Sequence, residues 1–408
     1  MIYVILGAGA AGITAAKTIR QNDKDSAVVM ISTDEYVHSR CMLHKYISGE
    51  RDENTLNFVP DNFFEEQNIY WIKGKKAEQI DTKEQNVILD DESKIHYDKL
   101  LIATGADSFI PPVGDFRTAG NVFGLRNLSD AQAIKKTGEN AEHILVIGAG
   151  LVGLDAAYGF LEKKRRVTVV EMADRILPLQ LDACAGSEYQ KLFEKAGCRF
   201  LLGRKAVKTI SDEHGRITTV VLDDNTEIPC DLIIVAAGVR PAVACTNGSG
   251  IPAERSITVD EYMQTGIPNV YAAGDVTGLA GIWPNAMKQG TVAGSNMCGI
   301  KQQYLDRYCM KNTINFFGLT TLSLGRGVAE DGDEVVVWED RKCYKRAIIR
   351  DGKLDSILLQ GDISYSGIYQ YLIKNQIELG DKKERIFELS FADYYGTLQD
   401  GQYDYQVN

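Results

Sequence analysis

A short β-branched run, Ile2 to Leu6, passes directly into Gly7-Ala8-Gly9-Ala10-Ala11-Gly12 and then into the helix formers Ile13 to Arg20. The same grammar returns as Ile144 to Ile147, Gly148-Ala149-Gly150-Leu151-Val152-Gly153 and Leu154 to Lys164. Both copies read as strand, glycine turn and helix, and both turns have the spacing Gly-x-Gly-x-x-Gly. The echo extends further. Tyr97-Asp98-Lys99-Leu100-Leu101-Ile102-Ala103-Thr104-Gly105 is matched by Cys230-Asp231-Leu232-Ile233-Ile234-Val235-Ala236-Ala237-Gly238, each a buried-strand run closed by small residues and a glycine. The stretches Gly7 to Gly105 and Gly148 to Gly238 are nearly equal in length, so an internal duplication of a βαβ-type unit explains them. An α/β protein built on two such units is expected.

One Gly-x-Gly-x-x-Gly alone says little, because glycines also follow strands for packing reasons. Two copies in matching contexts say more. The first glycine permits the tight turn, the second lets a pyrophosphate approach the backbone, and the third lets helix and strand pack closely. The helix N-terminus then presents unpaired N–H groups and partial positive charge to the phosphates. Gly7, Gly9 and Gly12, and likewise Gly148, Gly150 and Gly153, are therefore expected to bind one dinucleotide each. In the second unit the next strand, Val167 to Val170, ends in Glu171. A carboxylate there accepts hydrogen bonds from the adenosine ribose and repels a 2′-phosphate, which favours NADH over NADPH. Arg165 and Arg166 lie before that strand, either as a solvated helix end or as a phosphate contact that keeps NADPH in play. In the first unit the equivalent strand, Ala27 to Ile31, leads to Ser32-Thr33-Asp34-Glu35, so the usual acid is displaced or replaced by Ser32.

Composition limits the rest. The 408 residues carry a formal charge of −11, which opposes attraction to nucleic acid or to an anionic membrane surface. No apolar run approaches the roughly 18 residues of a membrane span, and Met1 leads straight into a strand-like segment, so a cytoplasmic protein is expected. The eight cysteines, Cys41, Cys184, Cys198, Cys230, Cys245, Cys298, Cys309 and Cys343, never stand at Cys-x-x-Cys spacing, and no metal site is expected. After Asn312 short alternating segments take over: Glu334 to Trp338, Tyr344 to Arg350 and Leu354 to Leu359, the last two joined by the turn-like Asp351-Gly352. They predict a third, smaller domain with antiparallel strands. The final stretch, Asp393 to Asn408, mixes Tyr394, Tyr395, Tyr403 and Tyr405 with acids and has no period, which fits a packed arm or a loose tail.

Thr265-Gly266-Ile267-Pro268-Asn269-Val270-Tyr271-Ala272-Ala273-Gly274-Asp275 closely resembles the second flavin motif of the pyridine nucleotide-disulfide oxidoreductase superfamily. With the two glycine motifs and Ala103-Thr104-Gly105 it makes four motifs in the family's order. The resemblance implies that Asp275, beside Gly274, binds the ribityl chain of FAD. It implies an α/β fold with two Rossmann-like dinucleotide-binding domains, one for FAD (1–115 and 247–312) and one for NAD (116–246) inserted between its halves, with Gly238 on the nicotinamide side. It also implies a small α+β C-terminal interface domain (313–408) that pairs subunits into a homodimer.

The loop Ser39-Arg40-Cys41-Met42-Leu43-His44-Lys45 separates branches of that family. In rubredoxin, ferredoxin and nitrite reductase relatives it resembles Ser-Arg-Pro-x-Leu-Ser-Lys, with the lysine beside flavin N5 and paired to a glutamate just after the second glycine motif. On that pattern Arg40 belongs to the flavin-binding loop, Lys45 matches the lysine, and Asp155 takes the glutamate's place. Phe317-Gly318-Leu319, Ser323-Leu324-Gly325 and Trp283-Pro284-Asn285-Ala286 with Gln289-Gly290 look like the same branch. Trp283 either covers the ring system or belongs to the core. NADH peroxidases, oxidases and coenzyme A disulfide reductases instead carry a redox cysteine near this loop, and Cys41 fits its spacing. Cys41 is thus either a small apolar filler or a flavin-linked thiol. Ala10, where the thiol branch has histidine, and the lack of a C-terminal His-x-x-x-x-Glu pair weigh against the thiol. His38 and His44 flank the loop as proton donors or as ordinary hydrogen-bonded histidines.

The expectation is a FAD-dependent NADH oxidoreductase that passes electrons to a small redox protein such as rubredoxin, or to a small-molecule acceptor. One rival is a flavin-thiol enzyme reducing coenzyme A disulfide, persulfide or oxygen through Cys41. The other is a non-catalytic subunit that merely binds FAD and NADH, against which the retained glycines, Asp275 and Glu171 argue.

Overall fold

The computed structural model describes residues 1–279, 281–306, 311–394, 396–397 and 403–404; Cys309, Tyr395 and Tyr405 lie outside the described residues. The chain divides into two units, Met1–Met172 with Gly197–Leu305, and Ala173–Ala196 with Asp306–Asn408.

The first unit holds two five-stranded parallel sheets of one design. The first sheet runs Val270–Ala272, Lys99–Ile102, Ile2–Leu6, Ala27–Ser32, Ile69–Lys73 from edge to edge. The second runs Val122–Gly124, Leu232–Val235, His143–Ile147, Arg166–Glu171, Cys198–Leu202. In each, the strand before the glycine turn is central, so the sequence duplication is also one of topology. The α/β class with two Rossmann-like halves is the observed one. The edge strands show how one half interrupts the other. Val270–Ala272 joins the first sheet from beyond the second, and Val122–Gly124 joins the second from before it. A two-stranded antiparallel ribbon, Ala106–Ser108 with Val239–Pro241, ties the halves together directly after Gly105 and Gly238.

Side-chain alternation explains why these strands read as unbroken apolar runs. Tyr3 and Ile5 pack among Ala15, Ile19 and Val292 on one face, whereas Val4 and Leu6 pack among Ile80, Val87 and Leu89 on the other. Parallel sheets covered on both faces have no polar side to show. In the second sheet Leu145, Val170 and Ile233 pack on Val220, Leu222 and Ile228. The helices Ala10–Asn22 and Trp283–Met297 cross at small residues. A Cβ at Gly290 would collide with the carbonyl oxygen of Ala11, and one at Gly294 would lie 2.9 Å from that of Ala15.

The second unit is built on an antiparallel sheet in the order Lys311–Phe316, Leu319–Leu324, Lys353–Gln360, Tyr344–Arg350, Glu334–Glu339. The turn at Asp351-Gly352 adopts left-handed backbone at both residues, as its hairpin requires. Ile368, Leu372 and Ile373 of the helix Ser366–Asn375 cover the sheet, with Tyr394 in the same core. The segment Ala173–Ala196, which chain order places within 116–246, groups with this unit instead. The reason is Tyr189, whose hydroxyl lies 2.9 Å from both the Leu319 carbonyl and Thr321 Oγ1 and 3.1 Å from the Ile314 carbonyl. Gln360 reinforces it by donating to the Ala185 carbonyl at 3.0 Å. Among the described residues no helix is long and apolar enough to cross a membrane.

The Gly290 crossing is directly testable. Gly290→Ala is expected to destabilise the protein by about 1–3 kcal/mol, the usual range for overpacking, because the opposing atom is backbone and cannot rotate away. Thermal unfolding against the wild type checks this, and an unchanged Tm would show that the two helices yield.

Candidate functional site

The two glycine turns are superimposable in their chemistry. Gly7 N–H donates to the Ile31 carbonyl at 2.7 Å, and Gly148 N–H to that of Val170 at 2.8 Å. A Cβ at Gly7 would collide with the Ala103 carbonyl oxygen, and one at Gly148 would lie 2.5 Å from that of Ala236. Gly12 and Gly153 are closed in the same way by the carbonyls of Gly7 and Gly148. The middle glycines differ. Gly9 and Gly150 have extended backbone, and a Cβ on either meets nothing within 4 Å. The outer glycines are demanded by the fold, whereas the middle ones keep open the space over a helix N-terminus. That space suits a pyrophosphate, so the residues present fit a bound dinucleotide at each turn.

The matched hydrogen bonds place Ser32 and Glu171 at equivalent positions. Glu171 Oε2 accepts from the Ala149 N–H at 2.7 Å, inside the second glycine turn. Ser32 Oγ donates to the Asp34 carbonyl at 2.8 Å and accepts from the Trp71 indole at 2.9 Å, so it already organises its own loop. Arg165 and Arg166 stand at the opposite end of the strand from Glu171, about 17 Å away at the usual rise per residue.

Gly9, Arg40, Cys41, Ala103, Gly105, Arg126, Gly274, Asp275 and Trp283 line one cleft. Arg126 pairs with Asp275 and donates to the Ala106 carbonyl at 3.0 Å. Arg40 donates to the Asn127 side chain and to the Arg126 carbonyl, with Asp34 at 3.7 Å. Asp130 accepts the N–H groups of Arg126 and Asn127 at 2.8 and 2.9 Å, capping the helix Leu128–Gly138. Gln289, fully buried, accepts from the Gly274 N–H at 2.7 Å and fixes the turn before Asp275. Thr104 donates to the Ala242 carbonyl at 2.8 Å, and Gly238 accepts from the Phe109 N–H at 3.0 Å. Two guanidiniums and a helix N-terminus can donate to a pyrophosphate, and a carboxylate can accept from a hydroxylated chain. Sequence reasoning missed Arg126. Its signal was the cap Asn127-x-x-Asp130, which fixes the residue just before it.

The expected Lys45–Asp155 pair is not formed. Lys45 instead donates to Glu50 at 2.7 Å, because Gly49 turns left-handed after the helix Leu43–Ser48 and folds the chain back. Asp155 faces His44 Nδ1 at 3.6 Å. Burial pushes the Asp155 carboxyl up to about 8 and, with Lys45 adding to it, the His44 imidazole down to about 4. Near pH 7 a protonated acid therefore faces a neutral ring, and the two form no ion pair. Cys41 is exposed to the cleft. Desolvation and the Asp155 charge hold its thiol above the ordinary range, away from the thiolate that redox chemistry needs. Trp283 is half-buried and meets Phe58 edge-on at 4.8 Å, so it serves core and cleft at once. His38 is buried, with Nδ1 3.1 Å from the Tyr36 carbonyl.

Comparison with known proteins agrees with this geometry. Residues 1–290 match the family described as pyridine nucleotide-disulphide oxidoreductase, and residues 311–377 match the rubredoxin NAD+ reductase C-terminal domain. A nitrite reductase [NAD(P)H] of Bacillus subtilis is 30% identical over 93% of this chain, which spans only 48% of that protein. The epsilon subunit of NADH-dependent phenylglyoxylate dehydrogenase from Aromatoleum evansii is 30% identical over 94% of both. The crystal structure of NADH:rubredoxin oxidoreductase from Clostridium acetobutylicum is 25% identical, covers 95% of this chain and 99% of its own, and superposes with a TM-score of 0.77.

The glycine geometry separates ligand from fold. Gly9→Ala is expected to keep the wild-type stability of the cofactor-free protein within about 0.5 kcal/mol but to lose bound flavin, whereas Gly12→Ala loses about 1–3 kcal/mol of stability itself. Flavin absorbance after purification and unfolding of the stripped proteins read the two effects. Equal stability losses would refute the distinction.

The Asp155 carboxyl sets a pH dependence. Its native value is raised, so the stability it contributes is full below its ordinary 3.8 and is lost as pH rises through about 8. His44 acts oppositely, losing stability as pH falls from its ordinary 6.5 through about 4. In cofactor-free protein, Asp155→Asn should melt a few degrees above wild type at alkaline pH, with the gap closing toward acid. A pH-independent gap would contradict the raised carboxyl.

Proposed function

The chain belongs to the pyridine nucleotide-disulphide oxidoreductase family, and on that footing we propose that it oxidises NADH through bound FAD and delivers the electrons to a small rubredoxin-like redox protein. The observation that carries this reading is the pair of open glycine cradles in one unit, one of them beside Arg40, Arg126 and Asp275. The match of residues 311–377 to a rubredoxin reductase domain, and the likeness to the clostridial enzyme, support the choice of acceptor class. The preference for NADH over NADPH rests on Glu171, an acid at the second glycine turn that would repel a 2′-phosphate, with Arg165 and Arg166 at the other end of its strand. A cytoplasmic homodimer belongs to the same proposal.

FAD, when bound, supplies hydride acceptance and stepwise electron release. The chain's own residues do the rest. The helix N-termini at Gly9 and Gly150 hold the pyrophosphates, with Arg40 and Arg126 offsetting their charge in the first site. Asp275 accepts hydrogen bonds from the ribityl hydroxyls, and Trp283 shields the cleft from water. Lys45 pairs with Glu50 beside the loop. The Asp155 carboxyl holds a proton and faces the neutral His44 ring. The exposure of Cys41 at the cleft favours one second reading, a flavin-thiol enzyme, against which its raised thiol argues.

Anaerobic titration with NADH tests the choice. The expected result is uptake of two electrons per flavin without a long-wavelength charge-transfer band, unchanged in Cys41→Ser. Uptake of four electrons in the wild type, reduced to two in Cys41→Ser, would overturn the proposal in favour of the thiol enzyme.

A further inference from the structure

The helix Leu128–Gly138 carries Lys135 and Lys136 in its last turn, and the helix Leu151–Glu162 is followed at once by Lys163, Lys164, Arg165 and Arg166. The two ends meet. The Arg165 guanidinium donates to the Glu139 carbonyl at 2.8 Å, and desolvation together with the charges of Lys135 and Arg165 pushes the Lys163 ammonium below its ordinary value. Lys136, Lys164 and Arg166 are exposed. In a chain of net charge −11, none of these six side chains forms an ion pair among the described residues. Arg165 Nε is buried without a partner.

Of the acids alongside, Glu50 is paired with Lys45, Glu53 accepts from Tyr46 and Gln132, Glu162 is bonded to Tyr158, and Glu139 and Glu142 are exposed, which leaves fewer acids than the six cations. Lysines at helix C-termini are ordinary partners of the helix dipole. That accounts for Lys135, Lys136 and Lys163, but not for two arginines beyond the helix nor for two basic ends brought together.

The position of the patch gives it meaning. Both helices pack on the short helix Leu43–Ser48. A Cβ at Gly159 would lie 3.1 Å from the His44 carbonyl oxygen, and Lys135 Nζ stands 4.3 Å over the Tyr46 ring. That short helix directly follows Arg40 and Cys41, which line the cleft, and its six residues span about 9 Å. The basic surface is therefore one short helix away from the cleft.

We propose that the surface formed by Lys135, Lys136, Lys163, Lys164, Arg165 and Arg166 is the docking site of an acidic electron-carrier protein. The proposal rests on the reading that this chain passes electrons to such a protein. Complementary charge steers a small acidic carrier to this face and orients it toward the nearby cleft, and the contact weakens with salt because the charges are exposed.

The test uses the holoenzyme and its variant Lys136→Glu/Lys164→Glu/Arg166→Glu. The probe is zinc-substituted acidic rubredoxin, which binds but accepts no electron. Wild-type binding is expected to fall roughly tenfold or more in the variant and to weaken as salt rises to about 300 mM. NADH-driven reduction of uncharged benzoquinone should be the same in both, which shows that the variant is folded and loaded. Undiminished binding by the variant, or no binding by the wild type, would overturn the docking surface. Separately, zinc rubredoxin binding that responds to the reversal, combined with no NADH-driven reduction of iron rubredoxin, would overturn the electron-transfer reading and leave the surface in place.

Discussion

The near-contact of backbone with backbone at the glycine turns sets the rest of this unit. Gly7 lies so close to Ala103, and Gly12 to Gly7, that no side chain fits between them, and Gly148, Ala236 and Gly153 repeat the arrangement. The closeness fixes where each helix starts relative to the ends of two parallel strands. It therefore aims the helix N-terminus at the space that Gly9 or Gly150 leaves open. Everything else in the cleft is arranged around that fixed point. Gln289 holds the Gly274 turn, Asp275 follows from it, and Arg126 reaches Asp275 from the other half of the unit.

What was legible in the sequence was what is enforced locally. A glycine that must be glycine leaves a mark at its own position, and a strand buried on both faces leaves an unbroken apolar run, so the duplicated units and their cradles could be read directly. The segment Ala173–Ala196 left no such mark. Its place is decided by Tyr189 and Phe193 packing on strands more than a hundred residues away, including ring contacts of 5.9 and 5.1 Å with Phe316. Nothing in its own period says which neighbour it will choose. The Lys45–Asp155 pair failed for a related reason. Matching positions did place Asp155 beside the loop, but a left-handed residue at Gly49 and the preference of a lysine for a solvated acid sent the charge to Glu50.

Electrostatics divides the site into a charged and a neutral half. Around Arg40 and Arg126 each guanidinium finds Asp34, Asp275 or a carbonyl, so the charges stay and become a template for an anion. Around Asp155 no comparable cation among the described residues pairs with it, since Lys45 is committed elsewhere, and burial keeps the carboxyl protonated near pH 7. Cys41 lies where these regions meet. The cationic side alone would have favoured its thiolate, but burial and the acid side prevail in the balance.

The helix Leu151–Glu162 joins these observations. Its N-terminus forms the second glycine cradle, its middle passes His44 at Gly159 with almost no gap, and its C-terminus leads into the basic run Lys163 to Arg166. The dipole of one helix suits both tasks, since the positive end faces a pyrophosphate and the negative end gathers cations. At 1.5 Å per residue its twelve residues keep the two ends about 18 Å apart. On the proposed docking surface, the nucleotide that brings electrons and the protein that removes them occupy opposite ends of this helix. The helix Leu43–Ser48, which packs against it at Gly159, leads back to Arg40 and Cys41 in the cleft.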